Sequence, residues 1–412
     1  MYNYFGVPYH LCRMIKRAYW DSEKLRKHQE KELKKIIKYA YDYVPFYHKK
    51  LRESRTKPSD FKTLEDLNKL PIIKKDEIRS NIENVISRQF NKNRPRKCST
   101  SGSTGKPLHV FITKEEDIIR KLKHLRANVS CGQKLRDRWA AITSPSHYGE
   151  APRLLRLLGI YAPIFVSVFD DTKTQFSTIE KMEPDVLGGY SSSLFLLAKE
   201  AERRGAGTIR PKLIFSGAEL IDDFSRRYIE KMFDAPLYDQ YAIVELERIA
   251  WQCPEKCGYH IDADMIITQF VDEDGKEVSA NESGQIICTS LINYAMPFIR
   301  YAVGDMGIPS DEKCQCGRTL PMMKAVEGRK HEFLILPDGQ YMAPIAMITM
   351  MYMFKLFRCI DQFRVIQKKT NLFEVHIKKK DTNVDERTIE TELIAHINRS
   401  LNMNAYNITF EI

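Results

Sequence analysis

Apolar positions between Ser22 and Val44 fall on one helical stripe. Leu25, Leu33, Ile36, Ile37, Ala40 and Val44 recur at helical spacing, Ser22 can cap the segment and Pro45 stops it, which predicts a helix over 22–44. Residues 60–90 read as helical with a break at Pro71, and 114–131 as a further helix rich in Lys and Arg. The pattern then changes to short apolar runs alternating with helical stretches. Trp139–Thr143, Ile164–Phe169, Val186–Gly189 and Leu213–Ser216 read as strands, with helices near Ala151–Leu158 and at Ser192–Arg204. Such alternation predicts βαβ units and a parallel sheet. From about residue 260 the chain turns to short strands joined by Gly/Asp turns, DEDGKE, NESGQ and LPDGQ. Phe363–Gln367, Phe373–Ile377 and a helix at 384–400 then predict a small α+β unit at the C-terminal end.

With 412 residues, 43% of them hydrophobic and 29% charged, the chain can bury a large core in two or three domains. No stretch approaches the roughly 18 apolar residues of a membrane span, and the start lacks the apolar run of a signal peptide. A cytoplasmic protein is expected. Residues 1–60 hold 15 Lys/Arg against 7 Asp/Glu and so carry +8 of the net +11. This basic helical arm reads first as a solvated face. Its interleaved Tyr2, Tyr4, Phe5, Tyr19 and Trp20 keep open an anionic membrane surface or an acidic or glycan-synthesis partner. No base-reading motif accompanies the charge, so a nucleic-acid partner is not expected.

Nine cysteines without an export signal do not suggest a disulfide framework. Cys12, Cys98, Cys131, Cys288 and Cys359 read as small buried thiols. Cys253 and Cys257, then Cys314 and Cys316, form two tight pairs at turns, and four thiolates suit a tetrahedral structural Zn²⁺. His260 could replace one of them. Buried thiols or a redox dithiol are the alternatives. A site filled by four protein ligands would staple and not catalyse, which argues against a zinc hydrolase, and no Ser-His-Asp spacing suggests another.

The sharpest local signal is Ser99-Thr100-Ser101-Gly102-Ser103-Thr104-Gly105-Lys106-Pro107. Glycines let the backbone approach an anion, hydroxyls and N–H groups cradle phosphate oxygens, and Lys106 adds charge. Pro107 stands where a Walker loop needs Ser or Thr. This string resembles the phosphate loop of the adenylate-forming superfamily of acyl-CoA ligases. The likeness is greatest to the phenylacetate-CoA ligase branch and its capsule-biosynthesis-like members, which share a phrase like Tyr43–Leu51. It runs over nearly the whole chain.

The resemblance implies an adenylate-forming α/β fold: a large N-terminal domain over 1–328 with α/β sheets and a small β region, and a mobile α+β domain over 329–412. It implies that Ser101, Gly102, Ser103, Thr104, Gly105 and Lys106 hold the β- and γ-phosphates of ATP. Ser216-Gly217-Ala218-Glu219 is similar to the adenine-contacting turn. In Tyr238–Glu245, Tyr241 would stack on adenine and Glu245 would bind Mg²⁺, although Ala242 and Val244 depart from the family's Gly and Thr/Ser. Asp305, in Arg300–Asp305, and Arg329 would take the ribose hydroxyls, with His331 at the hinge. His147, Tyr148, Gly189 and Tyr190 would line the acid pocket. No lysine follows Lys380, so the family's C-terminal lysine has no counterpart and the small domain reads as truncated. The implied reaction is attack of a carboxylate on the ATP α-phosphorus, giving an acyl-AMP, then transfer to CoA. A carrier-protein thiol or a glycan precursor is the alternative acceptor. A nucleotide-binding scaffold without turnover stands as a further alternative.

Overall fold

The computed structural model describes residues 6–90, 96–99, 108–145, 153–205, 207–329, 334–335, 341–342, 347, 350–351, 353–380, 383–400 and 409–411. The chain divides into two compact units, Met1–Glu219 with Tyr228–Val326, and Leu220–Arg227 with Glu327–Ile412.

The first unit opens with helices α1 (Val7–Arg17), α2 (Ser22–Tyr43) and α3 (Pro45–Glu53). The N-cap of α2 is Asp21 and not Ser22: the Asp21 carboxylate accepts from the Lys24 N–H at 2.8 Å, a stronger acceptor for the exposed helix end than a hydroxyl. The stripe Leu25, Leu33, Ile36, Ile37 and Ala40 is buried as the periodicity predicted. Leu11 and Met14 of α1 pack against Ile118, Ile119 and Leu122 of α6 (Lys114–Ser130). Part of the basic arm is therefore bound to the core through its apolar positions.

Residues 60–90 are more broken than expected. They carry a 3₁₀ turn at Glu65–Lys69 and two short helices, α4 (Lys75–Ser80) and α5 (Ile82–Val85). Pro71 withdraws a donor and biases Leu70 to an extended backbone, so no continuous helix forms. A hairpin of β1 (Arg96–Ser99) and β2 (His109–Ile112) comes next, ahead of α6.

Parallel βαβ units follow: β3 (Trp139–Thr143), α7 (Arg153–Leu157), β4 (Pro163–Ser167), β5 (Val186–Tyr190), α9 (Ser191–Arg203) and β6 (Leu213–Gly217) lie where the apolar runs placed them, and α8 (Thr172–Met182) and β7 (Leu237–Ile243) join them. The remaining strands of this sheet are β8 (Glu247–Trp251), β9 (Tyr259–Ile261), β10 (Ile266–Val271), β11 (Gly284–Ser290), β12 (Tyr301–Ser310) and β13 (Met322–Arg329). All eleven form one sheet in the order β4-β3-β5-β6-β7-β8-β9-β13-β12-β11-β10. Pairing is parallel from β4 to β7 and turns antiparallel at β7–β8. The DEDGKE segment is a turn closed by the Val271–Glu277 bridge, while LPDGQ lies outside the described residues.

A buried ion cluster ties α6 to this sheet. The Asp262 carboxylate accepts from Arg126 on α6, from Arg248 on β8 at 2.8 Å and from the Trp251 indole at 3.0 Å. Arg126 also donates to Asp264 at 2.8 Å, which Arg17 of α1 approaches at 3.7 Å. The side chains of Arg126, Arg248 and Asp262 are all fully buried. Among the smaller thiols Cys131, Cys288 and Cys359 are buried as expected, Cys98 is partly buried, and Cys12 is exposed.

In the second unit β16 (Ile360–Lys369), β17 (Leu372–Lys379) and β18 (Thr409–Glu411) form a sheet, with β17 and β18 parallel. The helix Glu386–Ser400 buries Ile389, Leu393 and Ile397 in the same core as Phe373 and Val375. Two short strands, β14 (Leu334–Ile335) and β15 (Tyr341–Met342), pair antiparallel. Among the described residues no helix is long and apolar enough to cross a membrane.

Asp262→Asn would leave two buried guanidiniums facing a neutral amide, and should cost about 3–5 kcal/mol in urea unfolding at neutral pH. Burial alone would raise the Asp262 pKa, but Arg126 and Arg248 hold it below the ordinary 3.8. Its stabilisation is therefore complete above about pH 4 and lost as pH falls through the lower folded value. Acid titration of stability should be shallower in the variant; an equal slope would show that other carboxylates govern it.

Candidate functional site

The carboxyl ends of parallel strands are where open α/β sheets place ligands. Four segments singled out in the sequence begin there: Thr143 ends β3, Gly189 and Tyr190 end β5, Ser216 and Gly217 end β6, and Tyr241 lies in the last half of β7. The Tyr190 hydroxyl accepts from the Ser144 N–H at 3.3 Å and meets the Thr143 hydroxyl at 3.4 Å, fastening β5 to the end of β3. A Cβ on Gly217 would lie 3.1 Å from the Gln240 carbonyl, so a glycine permits the close approach of β6 to β7.

The turn after β6 is shaped by its polar groups. The Ser216 hydroxyl donates to Asp239 at 2.5 Å, and Tyr259 donates to the other oxygen of Asp239 at 2.7 Å. Ala218 adopts a left-handed φ of 66°, a conformation that costs a non-glycine residue and concentrates at functional sites. The Glu219 carboxylate accepts from the Ser192 N–H at 2.8 Å in the first turn of α9. Its carbonyl accepts from Ser191 at 3.2 Å.

Two Tyr-x₃-acid phrases, Tyr241–Glu245 and Tyr301–Asp305, meet in the fold. Tyr241, from the first phrase, donates to Asp305 of the second at 2.6 Å. Tyr301, from the second, donates to Glu245 of the first at 2.9 Å. Three strands separate β7 from β12 in the sheet order, so the sheet must curl for these side chains to meet. Both acids are buried, Glu245 at 3% exposure and Asp305 at 8%. Burial, then the Asp305 charge, pushes the Tyr241 hydroxyl well above the ordinary 10.0. Burial and the Glu245 charge push Tyr301 up in the same way. Each tyrosine therefore remains a donor at neutral pH and fixes the orientation of the acid it meets.

Residues missed in the sequence hold this pair in place. The backbone carbonyl of Glu245 accepts from Arg120 at 2.7 Å and from Asn293 at 3.1 Å. Arg120 also reaches the Val244 carbonyl at 3.1 Å, and Lys123 reaches that of Leu246 at 3.3 Å. Burial lowers Lys123 to about 8. These cations lie on one side of α6, and nothing local in a helix rich in Lys and Arg signals that a loop docks on it. Lys75 pairs with the Glu245 carboxylate at 3.0 Å. Tyr301 could have been found from the repeated Tyr-x₃-acid spacing.

The cysteine cluster is gathered with one change of member. Cys253, Cys314, Cys316 and His260 bring their ligand atoms within 4.8 Å of one another. Cys253 and Cys314 lie 3.5 Å apart, and Cys316 lies 3.3 Å from His260 Nε2. Cys257, exposed, lies 3.7 Å from Cys314 but outside this compact set of four. His260 replaces it because β9 pairs with β8 and β13 and so carries the ring into the cluster. Burial, then the Arg318 charge, lowers His260 to about 4, so the ring is neutral and free to ligate. Three thiols and one imidazole are a donor set that suits Zn²⁺.

Ser101, Gly102, Ser103, Thr104, Gly105 and Lys106, with His147, Tyr148 and His331, lie outside the described residues, as does the Arg329 side chain at the end of β13. The β1–β2 hairpin that flanks this segment is described.

No family model matches the chain. It is 29% identical over 330 residues to the phenylacetate-coenzyme A ligase of Thermus thermophilus, spanning 76% of this chain and 72% of that protein. It is 24% identical over 374 residues to protein CapK of Staphylococcus aureus, spanning 81% and 78%. The crystal structure of 2-hydroxyisobutyryl-CoA ligase in the postadenylation state superposes with a TM-score of 0.83 at 19% identity, covering 96% of this chain and 87% of that one. That of the anthranilate CoA ligase AuaEII gives 0.58 at 15% identity, covering 79% and 64%. The expected α/β fold is thereby met.

Arg120→Met should release the Val244 and Glu245 carbonyls and lower stability by about 1–3 kcal/mol in denaturant unfolding. Unchanged stability would mean that Asn293 and Lys123 hold the loop unaided.

Proposed function

We propose that the chain belongs to the adenylate-forming superfamily, in its phenylacetate-CoA ligase-like branch, and is a cytoplasmic AMP-forming acid–thiol ligase, a reading supported by its likeness to phenylacetate-CoA ligases and CapK. ATP and CoA are its co-substrates, and a small carboxylic acid is the group activated. A carboxylate oxygen bonds to the α-phosphorus of ATP as the bond to the pyrophosphate oxygen breaks. The CoA sulfur then attacks the acyl carbon and AMP departs.

The observation that carries this reading is the crossed pairing of Tyr241 with Asp305 and of Tyr301 with Glu245. Asp305 is assigned to the ribose hydroxyls, which a carboxylate can accept, with Tyr241 fixing its orientation. Glu245 is a single buried carboxylate, which suits Mg²⁺, a cation that takes one or two carboxylates and fills its shell with water and substrate phosphates. Bound there, Mg²⁺ would neutralise charge on the phosphates. Lys106, Thr104 and the neighbouring Ser/Gly loop are assigned to the leaving pyrophosphate, where electrostatic preorganisation lowers the barrier. Ser216–Glu219 is assigned to the adenine edge, Arg329 to ribose, and His147, Tyr148, Gly189 and Tyr190 to the acid. The 329–412 segment is assigned as the mobile domain. Cys253, His260, Cys314 and Cys316 would hold a structural Zn²⁺ that joins the β8–β9 turn to the β12–β13 connection.

ATP–pyrophosphate exchange over a panel of aryl, fatty and amino acids tests the main reading. One acid class should support exchange, and Glu245→Ala should reduce it by about 10²–10³-fold. Silence with every acid, alongside tight ATP binding, would favour a nucleotide-binding scaffold. For the metal, one zinc per chain is expected by elemental analysis, lost in His260→Ala and kept in Cys257→Ser. The opposite pattern would return the site to four cysteines.

A further inference from the structure

The geometry points to Lys75 as a further nucleotide-binding residue that exchanges charge with the cation site: it pairs with Glu245 in this structure and moves to a phosphate oxygen when magnesium-bound nucleotide enters. This rests on the nucleotide reading above.

The position of Lys75 is built by the fold. Ile73 bridges the start of β12 in parallel, donating to the Arg300 carbonyl at 2.9 Å and accepting from the Ala302 N–H at 2.9 Å. Arg300, with a left-handed φ of 51°, turns its guanidinium back onto the same segment, donating to the Leu70 carbonyl and to the Asn68 side chain at 2.8 Å. The chain from Asn68 to Ile73 is thus clamped to the strand that carries Tyr301. Two residues later Lys75 stands over Glu245, its ammonium 3.0 Å from the oxygen that Tyr301 also contacts.

The acids beside it on α4 are engaged elsewhere, Asp76 by Arg79 at 2.5 Å and Glu77 by Lys50 at 2.7 Å. Lys75 is therefore directed at Glu245. A carboxylate with 4% side-chain exposure is costly to bury without a counter-charge, and Lys75 supplies it before any metal arrives. Lys75 itself is 30% exposed, so it can swing without unpacking the core. An ammonium on a flexible stem suits that exchange, since it binds carboxylate and phosphate alike as a point charge. Lys75 and a divalent cation then compete for Glu245, and the nucleotide resolves the competition by bringing both the cation and new oxygens for the lysine.

Two readouts of opposite sign test this. Manganese(II) alone, titrated into nucleotide-free protein and followed by electron paramagnetic resonance, should bind on the order of 10-fold more tightly to Lys75→Met than to the unaltered chain. Lys75→Arg should stay near the unaltered chain, and Glu245→Gln should lose the site. Pyrophosphate exchange at saturating magnesium-ATP should fall about 100-fold in Lys75→Met, with partial recovery in Lys75→Arg. Lys75→Gln, which retains a donor toward Glu245, is read in the same way should the Met variant fail to fold. Manganese affinity that is equal or weaker without Lys75, or exchange that is unchanged, would overturn the proposal. If the unaltered chain shows no exchange with any acid, the activity reading falls, while the manganese comparison still decides whether Lys75 competes for Glu245.

Discussion

The crossed hydrogen bonds between two Tyr-x₃-acid phrases set the geometry on which the rest of the site depends. Tyr241 and Glu245 come from β7 and the turn beyond it, Tyr301 and Asp305 from β12, and each tyrosine donates to the other strand's acid. A buried carboxylate is stable only with a partner, so neither acid can be held where it is unless both strands are in register. The curl of the sheet, the clamp of Arg300 on the Asn68–Leu70 segment and the docking of Val244–Leu246 on α6 all serve that meeting.

Around it, polar groups are held in layers. Asp262 binds α6 to β8 through Arg126 and Arg248, and the same helix then presents Arg120 and Lys123 to the loop that carries Glu245. The thiol and imidazole cluster gathers Cys253 after β8, His260 of β9, and Cys314 and Cys316 ahead of β13. These are connections with few apolar residues of their own, so a metal staple would supply order that packing does not. Buried ions of this kind are weak sources of net stability, but they fix which groups lie side by side.

What could be read beforehand follows from the range of each interaction. The strands Trp139–Thr143 and Val186–Tyr190 were legible because a short apolar run between helical stretches is a local pattern. Family likeness gave Tyr241, Glu245 and Asp305 as members of one site. Their crossed pairing was not legible, since it depends on a curl spanning three intervening strands. Lys75 gave no signal in a run of charged residues, and the cations of α6 read only as part of a helix rich in Lys and Arg. His260 was named only as a substitute, because spacing favours the nearer Cys257, whereas strand pairing brings in the histidine. The helical reading of 60–90 failed where short apolar spacing around Pro71 could not sustain a helix.

In the proposed reaction a carboxylate oxygen attacks the α-phosphorus within the Tyr241–Asp305 and Tyr301–Glu245 frame. The most direct measurement uses an acid labelled with ¹⁸O in its carboxylate, incubated with ATP, Mg²⁺ and CoA, followed by mass spectrometry of the nucleotide product. The account predicts AMP carrying one ¹⁸O per turnover, because the oxygen bonded to phosphorus stays with AMP when the thiol takes the acyl group. Unlabelled AMP, or ADP with the label in inorganic phosphate, would contradict it.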